Sequence, residues 1–398
     1  MSRPIYLDHN ATTPIFPEVV DAMRDCWERR YANPASQHEF GRQARRTLEA
    51  ARDRIGELLG AGDDDCVLFT SGGTESNNLA IRSLLQRSAA CHHPSARPAH
   101  LIISAVEHQS ITALADELQH QGHDVEKIPV DAHGVIRANA LPHLLRPNTA
   151  FVAAILGQNE TGVLQPVAEL AAICATRGMP LHTDATQVAG KLPVNFRDLG
   201  ATTMTVAAHK FHGPVGIGAL IYRDDIELQP QLFGGFQQAG LRPGTESVAL
   251  AVGMCRALDF GSRLIEMREH TMRLQERAAQ ICELRDRFER AILLGWPDAR
   301  VIGAEVERLP QTSNIAFVGL DRQALFMALD QAGVACSTGS ACASGSSEIS
   351  PVLIAMGCSE AVLESALRFS LGVTTTAADI DEAARRILHC CTKLRQAK

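Results

Sequence analysis

Several short stretches of this chain put chemically able residues directly after runs of strand-forming residues. The apolar run Cys66–Phe69 leads into Ser71-Gly72-Gly73-Thr74, and a helical pattern follows from Leu79. Glycines allow close backbone approach, a helix start offers free N–H groups and a positive dipole end, and threonine adds a hydroxyl, so this turn suits a phosphate. It is neither a Walker A loop nor a dinucleotide fingerprint. Pro180–Thr183 is followed by Asp184, within HTDATQ, and Thr203–Ala207 runs into His209-Lys210, within AAHKFHGP. Leu101–Ala105 is followed by Glu107-His108, and Ala150–Leu156 by Asn159. A histidine in such a place can stack on a flat group or move protons near neutral pH. The asparagine can donate to a ring oxygen or a carboxylate. Arg368, in ALRFSLG, can clamp a carboxylate with two hydrogen bonds.

Each residue alone has a plainer reading. Asp184 would cap a helix, Lys210 would lie on the surface, and His108 would be a hydrogen-bonded structural histidine. Asn159 would be a turn residue and Arg368 half of a surface ion pair. Together they form a coherent set. An enzyme of pyridoxal 5'-phosphate needs a lysine amine for a Schiff base, a carboxylate against the pyridinium nitrogen and an anion site for the phosphate. The carboxylate keeps the ring nitrogen protonated, which makes the ring an electron sink.

The chain has 11 cysteines and no C-x-x-C, which argues against a disulfide framework or a zinc ribbon. Cys91-His92-His93 lacks metal-ligand spacing, and no metal site is expected. Cys174 and Cys255 fall in apolar helical patterns and read as core. Cys336 adjoins an apolar run and reads as strand-terminal, and Cys390-Cys391 as a frayed helix end. Cys342 differs. It lies in STGSACASGSS, a Gly- and Ser-rich loop with little core-forming power, and is the best candidate for a reactive thiol.

The elements that must position these residues alternate along the chain. Helices are expected at Pro17–Arg29, along the stripe Ala44, Leu48, Ala51, Ile55 and Leu58 that Gly60 ends, at Ser110–His120 and at Val167–Arg177. Further strands are expected at Asp124–Val130 and Gly218–Tyr222, and Gln86–Pro98 reads as a surface loop. Near-continuous apolar strands alternating with helices imply an α/β fold with a mostly parallel sheet covered on both faces. Ligands in such sheets bind at the carboxyl ends of the strands. A long helical stretch, Val248–Ala291, leads into a smaller α+β segment. A large domain is placed at about 16–258, and a small one at 1–15 plus 259–398.

Composition agrees with a globular protein: 398 residues, 45% hydrophobic, 21% charged, net charge −7. The acidic balance speaks against direct nucleic-acid binding. No apolar run approaches the ~18 residues of a spanning helix. The opening MSRPIYLDHNATTP lacks the apolar core of a signal peptide, so a cytoplasmic protein is expected, with no membrane partner.

The residues amount to a family pattern. The chain resembles the cysteine desulfurases, class V pyridoxal-phosphate enzymes of fold-type I (aspartate aminotransferase-like). The matching stretches are YLDHNATTP, NPASQHEFGRQAR, FTSGGTESNN, EHQS, QNETGVLQP, HTDATQVAGK, HKFHGPVGIGAL, LRPGTES, STGSACASGSSEIS and LRFSLG, in the family's order over nearly the whole chain. The GSAC loop with its long continuation resembles the NifS/IscS-like group, and here the catalytic loop spans about 336–350. The resemblance implies that Lys210 holds the cofactor and acts on the substrate Cα proton. Asp184 would pair with the ring nitrogen, Gln187 with the ring hydroxyl oxygen, and His108 would stack on the ring and relay protons as a catalytic residue beside Lys210 and Cys342. Gly73, Thr74 and His209 would bind the phosphate. Thr245 would reach the phosphate of the other subunit, which implies a homodimer. Asn159 and Arg368 would hold the substrate carboxylate, with Asn10 and Ala11 nearby. Cys342 would take the sulfur from L-cysteine as a persulfide and pass it to sulfur-acceptor proteins, for iron–sulfur cluster assembly or thiolation of tRNA or cofactors.

Some positions depart from the pattern. Ala207 stands where a phosphate-binding serine is expected, His9 brings an extra proton-active group, and Gln238 and Ser247 replace the frequent Glu and Asn. The competing readings are a selenocysteine lyase, another class V aminotransferase, and a catalytically degenerate sulfur-relay scaffold. A dinucleotide-dependent oxidoreductase fails because no G-x-G-x-x-G follows a strand.

Overall fold

The computed structural model describes residues 3–29, 32–91, 98–259, 267–339 and 349–396. Cys342 and the stretch of the expected catalytic loop from 340 to 348 lie outside the described residues, as do His92 and His93.

Among the described residues, β1 (Ile5–Tyr6) precedes the strands of the large sheet. These are β2 (Cys66–Thr70), β3 (His100–Ser104), β4 (Asp124–Ile128), β5 (Thr149–Ile155), β6 (Leu181–Asp184), β7 (Thr203–Ala207) and β8 (Gly218–Tyr222). They form a seven-stranded sheet in the order β2-β8-β7-β6-β5-β3-β4. Only β8 runs against its neighbours. β5 is buried at every residue, as expected of a strand covered on both faces. The smaller sheet pairs β9 (Ala299–Val301), β10 (Thr312–Phe317) and β12 (Ala366–Ser370) in the order β12-β10-β9, and β1 pairs in parallel with β11 (Val334–Ala335).

The helix Glu39–Leu58 buries Ala44, Leu48, Ala51, Ile55 and Leu58, residues three and four apart that share one face. Its start is capped by His38, whose ring accepts from Gly41 N at 3.2 Å. It stops before Gly60, whose φ of +68° a side chain would resist. With helices Pro17–Glu28 and Val248–Leu258 it covers one face of the large sheet, and helices Gly73–Cys91 and Gln109–His120 cover the other. A separate core joins Ile5 and Leu7 to helices Met267–Gly295, Arg322–Gln331 and Ala377–Gln396. Leu309, Val352 and Met356 instead pack into the core of the large sheet, so the C-terminal part of the chain contributes to both cores.

Several expectations need correction. The phosphate-turn helix begins at Gly73 rather than Leu79 and runs to Cys91, so the first half of the expected surface loop Gln86–Pro98 is helix. Leu79, Leu84 and Leu85 of this helix are buried against the sheet core, and that burial outweighs the polar texture of the following residues. The stretch Val248–Ala291 holds two helices rather than one, Val248–Leu258 and Met267–Gly295. Cys390 and Cys391 are not at a frayed end: both are buried in Ala377–Gln396, on the face that packs into the second core. Among the described residues, no helix is long and apolar enough to cross a membrane.

Gly218 opens β8 opposite Ala207 and Thr70. A Cβ there would stand 2.8 Å from the Gly72 backbone and from Val206 O. Gly218→Ala is therefore expected to destabilise by roughly 1–3 kcal/mol and lower the thermal midpoint in calorimetry. Gly56→Ala, whose Cβ would meet Val67 at an ordinary 3.5 Å, should hold or raise it.

Candidate active site

The strand ends converge as a parallel sheet requires. One cavity is lined by Gly73, Thr74 and Asn77 from the first helix turn, His108 and Ser110 beyond β3, and Ile155 and Asn159 after β5. Asp184, Thr186 and Gln187 enter it from β6, and Ala207, His209 and Lys210 from β7. Asn10 and Arg368 close it from the smaller sheet's side. Chain segments far apart in sequence thus meet here. Ala11 does not line the cavity, but its carbonyl accepts from Lys210 Nζ at 2.8 Å, beside Asn10 O at 2.7 Å. Thr245 is exposed and outside the cavity.

Asp184 is buried and accepts only from neutral donors. Asn77 Nδ2 lies 2.8 Å from one carboxylate oxygen and Thr186 N 2.9 Å from the other. Asn77 also donates to Ser110 Oγ at 2.8 Å, so both its amide hydrogens are used and its carbonyl oxygen must accept. His182 Nε2, 3.0 Å from that oxygen, therefore carries the proton, and His182 Nδ1 accepts from Thr203 Oγ1 at 2.8 Å. Burial pushes the His182 ring down to about 4, so it stays neutral. The same logic reaches His108. Ser110 Oγ, already accepting from Asn77, sends its own hydrogen to His108 Nδ1 at 2.8 Å, and Ser110 N adds a second donor at 3.1 Å. The proton of His108 is therefore on Nε2. Burial lowers this ring's pKa, against the pull of Asp184, so it is a neutral Nε2–H donor.

Gln187 is oriented by its partners. Lys191 Nζ donates to its Oε1 at 2.8 Å, and its own Nε2 donates to Asn10 O at 3.0 Å, which leaves the second N–H for the cavity. Arg368 is not a surface residue. It is 1% exposed, its Nη2 meets Asp8 at 2.7 Å, and its Nη1 meets Asn159 O at 3.1 Å. His209 Nδ1 sits 3.2 Å from Thr12 Oγ1, and burial followed by Lys210 pushes the ring down to about 4. Beneath the floor, burial raises the Glu107 carboxyl to about 7; Ser104 Oγ and Ile155 N donate to it.

Reasoning from sequence missed Asn77, Ser110, Thr186, Lys191 and Asp8. The first was legible as the residue one turn after Gly73. The role of Asp8 depends on a partner 360 positions away. Of the departures, His9 points into a different small cavity with His212 and Lys191, and burial pushes its ring to about 4. Gln238 instead pairs both amide atoms with the Phe69 backbone at 2.8 Å, and Ser247 caps helix Val248–Leu258.

The donor set fits pyridoxal phosphate. A buried carboxylate with only neutral partners calls for a cation beside it, which a protonated ring nitrogen supplies. A helix start with glycine and threonine faces the same space.

The family description "Aminotransferase class-V" matches residues 5–383. The chain belongs to this family. A cysteine desulfurase of Cereibacter sphaeroides is 42% identical over 378 residues, covering 95% of this chain and 93% of that protein. The cysteine desulfurase NifS of Azotobacter vinelandii is 37% identical, covering 98% and 93%. Among solved structures, a NifS-like protein of Rickettsia africae aligns with a TM-score of 0.85 at 30% identity, covering 98% of this chain and 99% of that one. A protein described as SspA in complex with cysteine aligns with a TM-score of 0.77 at 30% identity, covering 92% and 98%.

His182 gives a pH test of this class-V site. Its folded pKa lies below the unfolded value of 6.5, so between these values the unfolded chain binds more protons. Its contribution to stability is whole above pH 6.5 and declines as pH falls toward 4, by roughly 1 kcal/mol per pH unit. The thermal midpoint of His182→Gln, followed over that range, should fall less steeply than that of the wild type.

Proposed function

We propose that this chain is a pyridoxal-phosphate-dependent cysteine desulfurase that converts L-cysteine to L-alanine and takes the sulfur onto Cys342 as a persulfide for delivery to acceptor proteins. One observation carries the reading: the described ends of the segment bearing Cys342 are tied beside the Arg368 end of the cavity. Ser337 N and O pair with Arg368 O and N at 3.0 and 2.7 Å. Ser350 Oγ donates to Glu160 Oε2 at 2.6 Å, and a Cβ on Gly339 would stand 2.7 Å from that same oxygen. Glu160 directly follows Asn159, which lines the cavity. The curated relatives named cysteine desulfurase, and the solved relative described in complex with cysteine, support the substrate.

When bound, the cofactor supplies an electron sink for negative charge at the substrate Cα. The side chains do the rest. Gly73, Thr74 and His209 would hold the phosphate, Asp184 would keep a positive charge on the ring nitrogen, and Gln187 would donate to the ring oxygen. His108 would stack against the ring, with its Nε2–H available. Arg368 and Asn159 hold the substrate carboxylate, and Asn10 fixes Asn159: its amide meets Asn159 O at 3.1 Å and Thr312 Oγ1 at 2.8 Å. Lys210 would hold the cofactor through its amine and take the substrate Cα proton. The Cys342 thiolate attacks the substrate sulfur. The new S–S bond forms as the carbon–sulfur bond breaks, and the electron pair left on carbon takes up protons to give alanine. The net change is cysteine plus enzyme thiol to alanine plus enzyme persulfide, with no outside oxidant.

The working unit in this reading is a homodimer. Thr245 is out of reach of its own cavity, and its segment adjoins Phe233 and Phe236, 89% and 96% exposed. Gly244 N donates to Gln237 Oε1 at 3.2 Å, which ties the two stretches together. A second copy would cover these rings and bring in its own Thr245. The described cysteines are all unpaired, which suits a reducing cytoplasm.

Cys342→Ala is expected to keep the visible band of the bound cofactor while losing alanine and sulfide production by at least a hundredfold. Normal turnover of L-cysteine by that variant would refute the assignment. Phe236→Asp should shift sedimentation from dimer toward monomer and lower cofactor occupancy, because the second Thr245 is then absent.

A further inference from the structure

The strand end beside the phosphate turn carries no hydrogen-bond donor of its own, since Ala207 presents only a methyl group. A hydroxyl nevertheless stands in that space. Thr186 lines the cavity, and its Oγ1 is shielded from solvent with no hydrogen-bond partner among the described residues. The oxygen is close to the helix start: the point where a Cβ on Gly73 would sit is 3.3 Å from Thr186 Oγ1, 3.6 Å from the Ala207 Cβ and 3.7 Å from Thr205 Cγ2. The Thr186 hydroxyl, the side-chain-free Gly73 and the Ala207 methyl therefore surround one small space at the positive end of helix Gly73–Cys91.

We infer that the Thr186 hydroxyl is a phosphate ligand of this site, supplying the donor that position 207 lacks. The physical case has three parts. A buried hydroxyl left unpaired is costly, so this one calls for a ligand acceptor. The turn holds it firmly, because Thr186 N donates to Asp184 Oδ1 at 2.9 Å, which couples the carboxylate at the ring nitrogen to the donor at the phosphate. Besides the Thr74 hydroxyl, the side chains nearby bring little charge: burial keeps His209 neutral at ordinary pH, and Lys210 Nζ is directed at the Asn10 and Ala11 carbonyls. A doubly charged phosphate at a helix start with so few cations depends on each neutral donor it meets.

The inference rests on pyridoxal phosphate being the cofactor, and the test separates the two. The full chain, freed of cofactor, is titrated with pyridoxal phosphate and, in parallel, with pyridoxal, which has the ring but no phosphate. Thr186→Val removes the hydroxyl at nearly constant shape, and Thr186→Ser keeps it. The expected result is an apparent dissociation constant for pyridoxal phosphate about tenfold to a hundredfold higher in Thr186→Val, with the pyridoxal constant unchanged and Thr186→Ser close to wild type. Thr186→Val binding pyridoxal phosphate as tightly as wild type, or losing both compounds to the same degree, would overturn the inference. A wild-type chain that bound neither compound would overturn the cofactor reading, and this inference with it.

Discussion

The site is organised around a negative charge held away from water. Asp184 is buried, and its partners are an amide, a backbone N–H and no cation among the described residues. Burying a carboxylate in this way is tolerable only if its hydrogen bonds are well made and a positive group completes it. Much of the surrounding structure serves the first condition. Asn77 is orientated by His182 and Ser110 so that its N–H faces Asp184, and His182 is in turn set by Thr203 on the neighbouring strand. The chain of donors ends at His108, whose tautomer it determines. One buried charge thus specifies the protonation pattern of residues on β6, β7 and two helices.

A second constraint joins the N-terminal segment and the smaller sheet to this core. Asn10 accepts from Lys210 and Gln187 through its carbonyl, and donates toward Asn159 and Thr312. Arg368 is neutralised by Asp8 and braced by the Asn159 carbonyl. Because both cations are held by fixed acceptors, each is fixed in place before any ligand arrives, which lowers the ordering cost of binding. Thiol chemistry is confined in a complementary way. Burial pushes Cys174, Cys255 and Cys391 up to about 12 and Cys336 higher still, so none of these competes as a nucleophile near neutral pH.

The α/β class, the strands of the large sheet and the cavity residues Gly73, His108, Asn159, Asp184 and Lys210 were legible in the sequence, whereas Arg368, which sits inside a strand of the smaller antiparallel sheet, was picked out by its side-chain chemistry alone. The physical reason is local. A strand read from an apolar run ends at a definite residue, and in a parallel sheet the residues just past that end face the binding edge. Where burial works against local texture, legibility failed. The helix continuing past Gln86 follows the buried Leu84 and Leu85, and the Cys390-Cys391 pair is ordered because its face packs on a core that the flanking polar residues do not reveal.

What the sequence determined by itself was the inventory: which strand ends carry a lysine, an acid, a histidine and a glycine-rich turn. Only the tertiary structure decided how these groups are electrically and geometrically set. That Arg368 is neutralised by Asp8, that Asp184 leans on Asn77, that Thr245 lies outside its own cavity and that the Thr186 hydroxyl stands unpaired all depend on contacts between distant segments. Such contacts arise from sheet order and from the docking of two cores, and neither is written in the spacing of residues along one stretch of chain.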